Sequence, residues 1–116
     1  MDEVKSISEL TRRVLQFRDA RDWGQYHNPK DLALSLAVEA GELLEHFQWR
    51  SSDEAVAEAH QEIVDELGDV LIYTVLLCHE LGLDPLTVAA RKLTKNEKKY
   101  PVDQARGSRR KYTDLS

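Results

Sequence analysis

Residues 36–49 read LAVEAGELLEHFQW, a stretch of helix-forming residues in which three glutamates, Glu39, Glu42 and Glu45, stand three apart and Trp49 comes last. The helix predicted here is apolar on nearly every side, from Leu32 to Phe47. Glu39 and Glu42 lie one turn apart on one face of it. These two carboxylates are therefore predicted to have few neighbours other than protein, which is an unusual position for negative charge.

Four helices account for most of the 116 residues. The first runs from about residue 6 to 22. The second begins at Asn28 as N-cap and Pro29 as first helical residue and reaches about Trp49. The third spans about 51–81 and ends before Gly82, and the fourth starts at 84 and ends before Pro101. No strand-like alternation, repeat or linker interrupts them. The sequence predicts a single all-α domain over residues 1–116, a four-helix bundle with an irregular basic tail at 101–116.

Charge is strongly segregated along the chain. Residues 31–90 carry 13 acidic side chains and only one basic side chain, Arg50, whereas residues 91–116 carry nine basic and three acidic ones. Surface helices ordinarily interleave Glu with Lys or Arg and gain pairs at a spacing of four. The central helices lack such pairs, so another source of positive charge must compensate their carboxylates.

The third predicted helix carries a second acidic stripe, at spacings of four, seven and eleven residues. Its members are Glu62, Glu66, Asp69 and Tyr73. The other side of the same helix is apolar and is predicted to face the core. Its members are Val64, Leu71, Val75 and Cys78.

Two interpretations fit the acidic stripes. By spacing alone they could be the solvated faces of amphipathic helices. The apolar surroundings of Glu39 and Glu42, and the lack of basic partners, favour carboxylates bridged by a hard divalent cation, because clustered like charges otherwise repel. No His lies three residues after a Glu, as a di-iron bundle requires. A single cysteine excludes a Cys-rich zinc site, and no P-loop motif is present.

The composition of the chain bears on its cellular compartment and on the kinds of partner that it can bind. The longest apolar run, at residues 70–78, is far shorter than the roughly 20 residues of a membrane span. No signal-peptide pattern is seen at the N-terminus, and the single Cys78 suits a reducing compartment. We therefore expect a cytoplasmic protein without a membrane partner. Its net charge of −5 argues against nucleic acid as a partner. A core this small is often completed by oligomerisation.

The two carboxylate stripes resemble a known signature. EAGE at 39–42 followed by ELGD at 66–69 resembles the Glu-x-x-Glu and Glu-x-x-Asp pair of the MazG-like all-α nucleoside triphosphate pyrophosphatases. Five longer blocks resemble the dCTP pyrophosphatase branch of that family. They are RDWGQYHNP (21–29), GELLEHFQW (41–49), DELGDVLIY (65–73), KNEKKYP (95–101) and RGSRRKYTDL (106–115). The resemblance covers about residues 9–115.

The resemblance implies Mg²⁺-dependent hydrolysis of a nucleoside triphosphate, dCTP or a modified dCTP, to the monophosphate and pyrophosphate, with Mn²⁺ as a substitute metal. It implies a homodimer or a homotetramer. The implied metal ligands are Glu39, Glu42, Glu66 and Asp69. Catalytic candidates are Glu42 and, as bases that activate water, Glu45 and Glu62. Candidate nucleoside-binding residues are Trp23, Tyr26, His27, Trp49 and Tyr73. Candidate phosphate-binding residues are Lys95, Asn96 and Tyr100, with Arg109 and Lys111 as weaker ones.

Two positions depart from the family pattern. The superfamily usually has Glu-Glu-x-x-Glu, and Val38 stands at the first place here. Val14 occupies a mid-helix position where this branch can carry a histidine that touches substrate, so the nucleobase preference is open. The alternatives are the same reaction on dUTP or an oxidised purine triphosphate, and a non-catalytic nucleotide-binding helical module.

Overall fold

The computed structural model describes residues 3–115, and over that range it is helical without strands. Six α-helices follow one another: α1 (Ile7–Ala20), α2 (Pro29–Glu45), α3 (Ser52–Glu58), α4 (His60–Glu80), α5 (Pro85–Lys99) and α6 (Val102–Ala105). Short 3-10 turns lie at Trp23–Tyr26 and Tyr112–Asp114. The all-α prediction is confirmed.

Local side-chain chemistry explains where the main helices start. The side chains of Ser6, Asn28, Ser51 and Asp84 each accept a hydrogen bond from the backbone N–H three residues later, at 2.9–3.2 Å. The N-cap at Asn28 and the start at Asp84 were predicted from the sequence and are confirmed. At the end of α4, Gly82 has a φ of 69°, and Leu83 N–H donates to the Cys78 carbonyl at 2.8 Å. This is a Schellman motif, and the predicted end of the helix before Gly82 is confirmed.

The third predicted helix is in fact two helices. The backbone of Ala59 leaves helical geometry, with φ −123° and ψ 29°, and separates α3 from α4. Ala55 and Ala59 are both buried, so their small side chains let α3 pack closely on α4. Neither Gly nor Pro marks the break, which explains why it could not be predicted from residue type. The second helix also ends earlier than predicted, at Glu45 rather than near Trp49.

The main core lies where α1, the start of α2 and the end of α4 meet. Its buried members are Val14, Leu32, Val75 and Leu76. Val75 and Cys78 are buried as predicted, but Val64 and Leu71 were wrongly predicted to be core, since they are 44% and 58% exposed. The reason is that the apolar stripe of α4 is covered only over its C-terminal part, near Val75.

The chain divides into two compact units between Leu83 and Asp84. The first unit contains α1 to α4, with α4 packed on α1, α2 and α3. The second contains α5, α6 and the 3-10 turn at Tyr112–Asp114. Helix α6 and this turn lie in residues 101–116, which were predicted to be an irregular tail. In that unit the ring of Tyr100 meets the ring of Tyr112 edge-on at 6.0 Å.

No single described helix has the length and apolarity to cross a membrane; only α4 and α5 taken together meet those two requirements.

Candidate metal and nucleotide site

Helices α2 and α4 bring three glutamates together. Glu39 and Glu42 from α2 and Glu66 from α4 each offer one carboxylate oxygen, and these oxygens lie within 4.8 Å of one another. We call these three residues the carboxylate cluster. The spacing of three on α2 places Glu39 and Glu42 on the face toward α4, as the helical period requires. All three side chains are partly buried, so the cluster is not a fully solvated acidic surface.

Without a cation, the three carboxylates of the cluster repel one another when all are ionised. The pKa of Glu39 is raised from 4.5 to about 7, mainly by a hydrogen bond with Glu66, then by burial and by Glu42. That hydrogen bond exists only while a proton is shared between the two groups. When both are ionised, Glu39 Oε2 and Glu66 Oε2 are buried without a partner. Three converging oxygens, two of them buried and unpaired, fit a hard divalent cation such as Mg²⁺.

A cavity of about 470 Å³ opens in the same unit and is bounded by α1, α4 and the turn at Trp23–Tyr26. Its lining is mostly apolar, with a few polar groups, as is usual for sites that bind a small organic molecule. The lining residues are Val4, Leu10, Arg13, Val14, Phe17, Arg18, Trp23, His27, Asp69, Ile72, Tyr73 and Leu76.

Asp69 connects the carboxylate cluster to the cavity. It follows Glu66 by one turn of α4 and lines the cavity, but it is exposed and is not one of the three clustered carboxylates. The cavity lining continues along α4 from Asp69 through Ile72 and Tyr73 to Leu76. The carboxylate cluster is thus followed, one helical turn along α4, by a residue of a mostly apolar cavity, an order that suits a triphosphate joined to a nucleoside.

The structure places the predicted nucleoside-binding residues in two groups. Trp23, His27 and Tyr73 line the cavity, and Nδ1 of His27 is buried without a hydrogen-bond partner. Tyr26 and Trp49 are 65% and 99% exposed and are not among the lining residues. Trp49 also has a φ of 63°, so it closes a turn after α2 and does not belong to the core.

The remaining predicted residues lie outside both features. Glu45 and Glu62 are exposed and are not part of the carboxylate cluster. Lys95, Asn96 and Tyr100 belong to the second compact unit. In that unit the Lys99 ammonium stands 4.6 Å from the centre of the Tyr112 ring. Nearby like charge, chiefly that of Lys99, lowers the pKa of Lys92.

Sequence reasoning missed several lining residues of the cavity, notably Arg13, Arg18, Phe17 and Ile72. A signal for the arginines was present, because Arg13 and Arg18 flank the apolar stripe of α1 that runs through Val14. Phe17 lies on the same stripe, is 51% exposed, and its ring meets Trp23 edge-on at 5.7 Å. An apolar residue of α1 faces either the core or the cavity, depending on how much of the space beside it the facing helix fills.

The chain belongs to the MazG-like family, whose model matches residues 34–115. It is similar to dCTP pyrophosphatase 1 of Rattus norvegicus, with 40% identity over 115 residues that cover 95% of this chain and 68% of the relative. dCTP pyrophosphatase 1 of Homo sapiens gives 39% identity over 116 residues with the same coverage. Among solved structures, a pyrophosphatase from Archaeoglobus fulgidus matches with a TM-score of 0.78 and 43% identity, covering 87% of this chain and 97% of that one.

Proposed function

We propose that this chain hydrolyses dCTP, or a modified dCTP, to the monophosphate and pyrophosphate with Mg²⁺ held by Glu39, Glu42 and Glu66. The broader conclusion, that the chain is a nucleoside triphosphate pyrophosphohydrolase, follows from its dCTP pyrophosphatase relatives and from the pyrophosphatase structure. The observation that carries the proposal is the carboxylate cluster with two buried, unpaired oxygens, next to a cavity of nucleoside dimensions.

The roles of the residues are part of this proposal. Mg²⁺, with Mn²⁺ as a substitute, would supply positive charge that offsets the triphosphate and the leaving pyrophosphate. Asp69 is proposed as a fourth metal ligand, because it stands one turn from Glu66. Glu45 and Glu62 are proposed to accept the proton of the attacking water, since carboxylates outside the metal-binding cluster remain available as bases.

The nucleoside is proposed to occupy the cavity. Trp23 offers an aromatic face to the base, which binds bases with little preference among them. Tyr73 lies on the same face of α4 as Asp69 and is placed to pack on the deoxyribose. Tyr26, Trp49, Lys95, Asn96 and Tyr100 stay predictions drawn from the family resemblance. A cytoplasmic location likewise stays a prediction.

A panel of triphosphates tests the reaction. With Mg²⁺, dCTP is expected to give dCMP and pyrophosphate in equal amounts and no orthophosphate, because the bond between the α- and β-phosphates is cut. dUTP and oxidised purine triphosphates are expected to react more slowly. The products are separated by anion-exchange chromatography, with EDTA as the control. Orthophosphate as the main product, or no turnover of any triphosphate, would contradict the proposal.

We also propose that the chain forms a homo-oligomer. Apolar side chains of α2 and α4 remain exposed in the single chain, and their removal from water favours association. They are Leu34, Val38, Leu44, Val64, Leu67 and Leu71. Light scattering coupled to size exclusion is expected to give two or four times the chain mass of 13.3 kDa. The Leu71→Lys variant should lower that mass, and a wild-type mass of one chain would refute the assembly.

A further inference from the structure

We propose that Arg18 is a positioning residue that holds the turn at Trp23–Tyr26 against the cavity, an inference that rests on the proposed function. Arg18 lies in the last turn of α1 and lines the cavity, and its side chain is only 14% exposed. Its Nε donates to Asp19 at 2.9 Å, and its Nη1 donates to Glu80 at 3.2 Å. The guanidinium therefore ties the end of α1 to the end of α4.

The same guanidinium lies against the turn. A Cβ added to Gly24 would stand 3.4 Å from Arg18 Nε and 3.6 Å from Cζ, which is ordinary contact distance, so the turn passes beside the guanidinium. Trp23 precedes Gly24, and His27 follows the turn; both line the cavity. The turn has no side-chain cap and begins at Asp22, whose φ is 57°. Gln25 also donates to the Asp22 carbonyl at 3.0 Å within the turn, and the nearness of Gly24 to Arg18 and the contact of Trp23 with Phe17 join the turn to α1.

Arginine suits this place better than lysine. Its planar fork donates to Asp19 and Glu80 at once, whereas lysine provides one point charge. The Glu80 side chain is 28% exposed, so this ion pair is partly shielded from water and from salt. Arg18 has no hydrogen bond or ion pair with the carboxylate cluster among the described residues. Its loss should therefore weaken nucleoside binding and leave the chemical step intact.

Steady-state kinetics with dCTP and Mg²⁺ test the inference. Arg18→Ala is expected to raise KM about ten- to hundredfold, because small misplacements of binding groups have effects of that size, while kcat stays within about twofold. Arg18→Lys should restore binding only in part. Glu80→Gln should raise KM in the same direction, and adding it to Arg18→Ala should have no further effect, since the pair acts as a unit. Arg12→Ala, an exposed arginine of the same helix, is the matched control.

Fluorescence provides a test that needs no turnover. In a Trp49→Phe background Trp23 is the only tryptophan, and Arg18→Ala is expected to increase its quenching by acrylamide. A raised KM with unchanged quenching would overturn the inference, because Arg18 would then act on the substrate directly. Unchanged KM, or a fall in kcat alone, would also overturn it.

If wild type fails to turn over dCTP, the proposed function fails, and quenching alone decides whether Arg18 holds the turn. If Arg18→Ala does not fold, Arg18→Lys serves in both tests.

Discussion

Replacing Glu42 by glutamine is expected to lower kcat for dCTP by more than about a hundredfold, since losing even an outer-shell partner of a metal ligand costs 10- to 100-fold. The amide keeps the size and helix propensity of the side chain but removes the charge that binds the cation. Glu42 also raises the pKa of Glu39, so its charge is unfavourable when no metal is bound. The variant should therefore keep its helix content, and its melting temperature in EDTA should equal or exceed that of wild type.

The matched control for this variant is Asp65→Asn. Asp65 is exposed on α4, next to Glu66, and accepts a hydrogen bond from Gln61 at 2.9 Å without joining the carboxylate cluster. The control should keep nearly full activity. Circular dichroism and a thermal melt, run beside the kinetic assay, separate loss of metal from loss of fold. Full activity in the Glu42 variant would refute the metal assignment.

In EDTA, the melting temperature of the wild type is expected to fall as the pH is raised from 4.5 to about 7. The pKa of Glu39 is about 7 in the folded chain against an ordinary value of 4.5, chiefly because it shares a hydrogen bond with Glu66. The folded state therefore holds the proton more tightly than the unfolded state. The associated stability is fully present below pH 4.5 and is lost as the pH rises through the folded pKa.

Mg²⁺ should reverse this loss at pH 8, because the cation replaces the proton between the carboxylates and binds only the folded chain. Scanning calorimetry over this pH range, with EDTA or Mg²⁺, measures both effects. Glu39→Gln is the control: its melting temperature should fall less steeply with pH and respond weakly to Mg²⁺. Equal pH dependence in wild type and Glu39→Gln would show that the cluster is not the source. No response of wild type to Mg²⁺ would count against the cation site.

Much of the local structure was predictable because it depends on neighbours in the sequence. Asn28 and Asp84 cap their helices with their own side chains, and Gly82 takes the positive φ that ends α4. Glu39 and Glu42 share a face because helical geometry requires it. The break at Ala59 was not predictable in this way, since it depends on how closely α3 packs against α4.

The site was only partly predictable for the same reason. The sequence suggested that Glu66 would join Glu39 and Glu42, and packing of α4 on α2 brings the three together. It gave no reason to separate Asp69 from them, or to place Arg18 between Glu80 and Gly24. Arg18 and Glu80 are 62 residues apart in the chain, and no periodicity relates such positions.

The sequence by itself determined the helical class, the capped helix starts and the two faces that carry carboxylates, because these follow from backbone hydrogen bonding and from a period of 3.6 residues. Only the tertiary structure decided which carboxylates converge, which apolar residues line a cavity and which arginine supports it. Those outcomes depend on how far each helix extends and on which side chains the opposite helix leaves uncovered, and these are set when distant segments pack together.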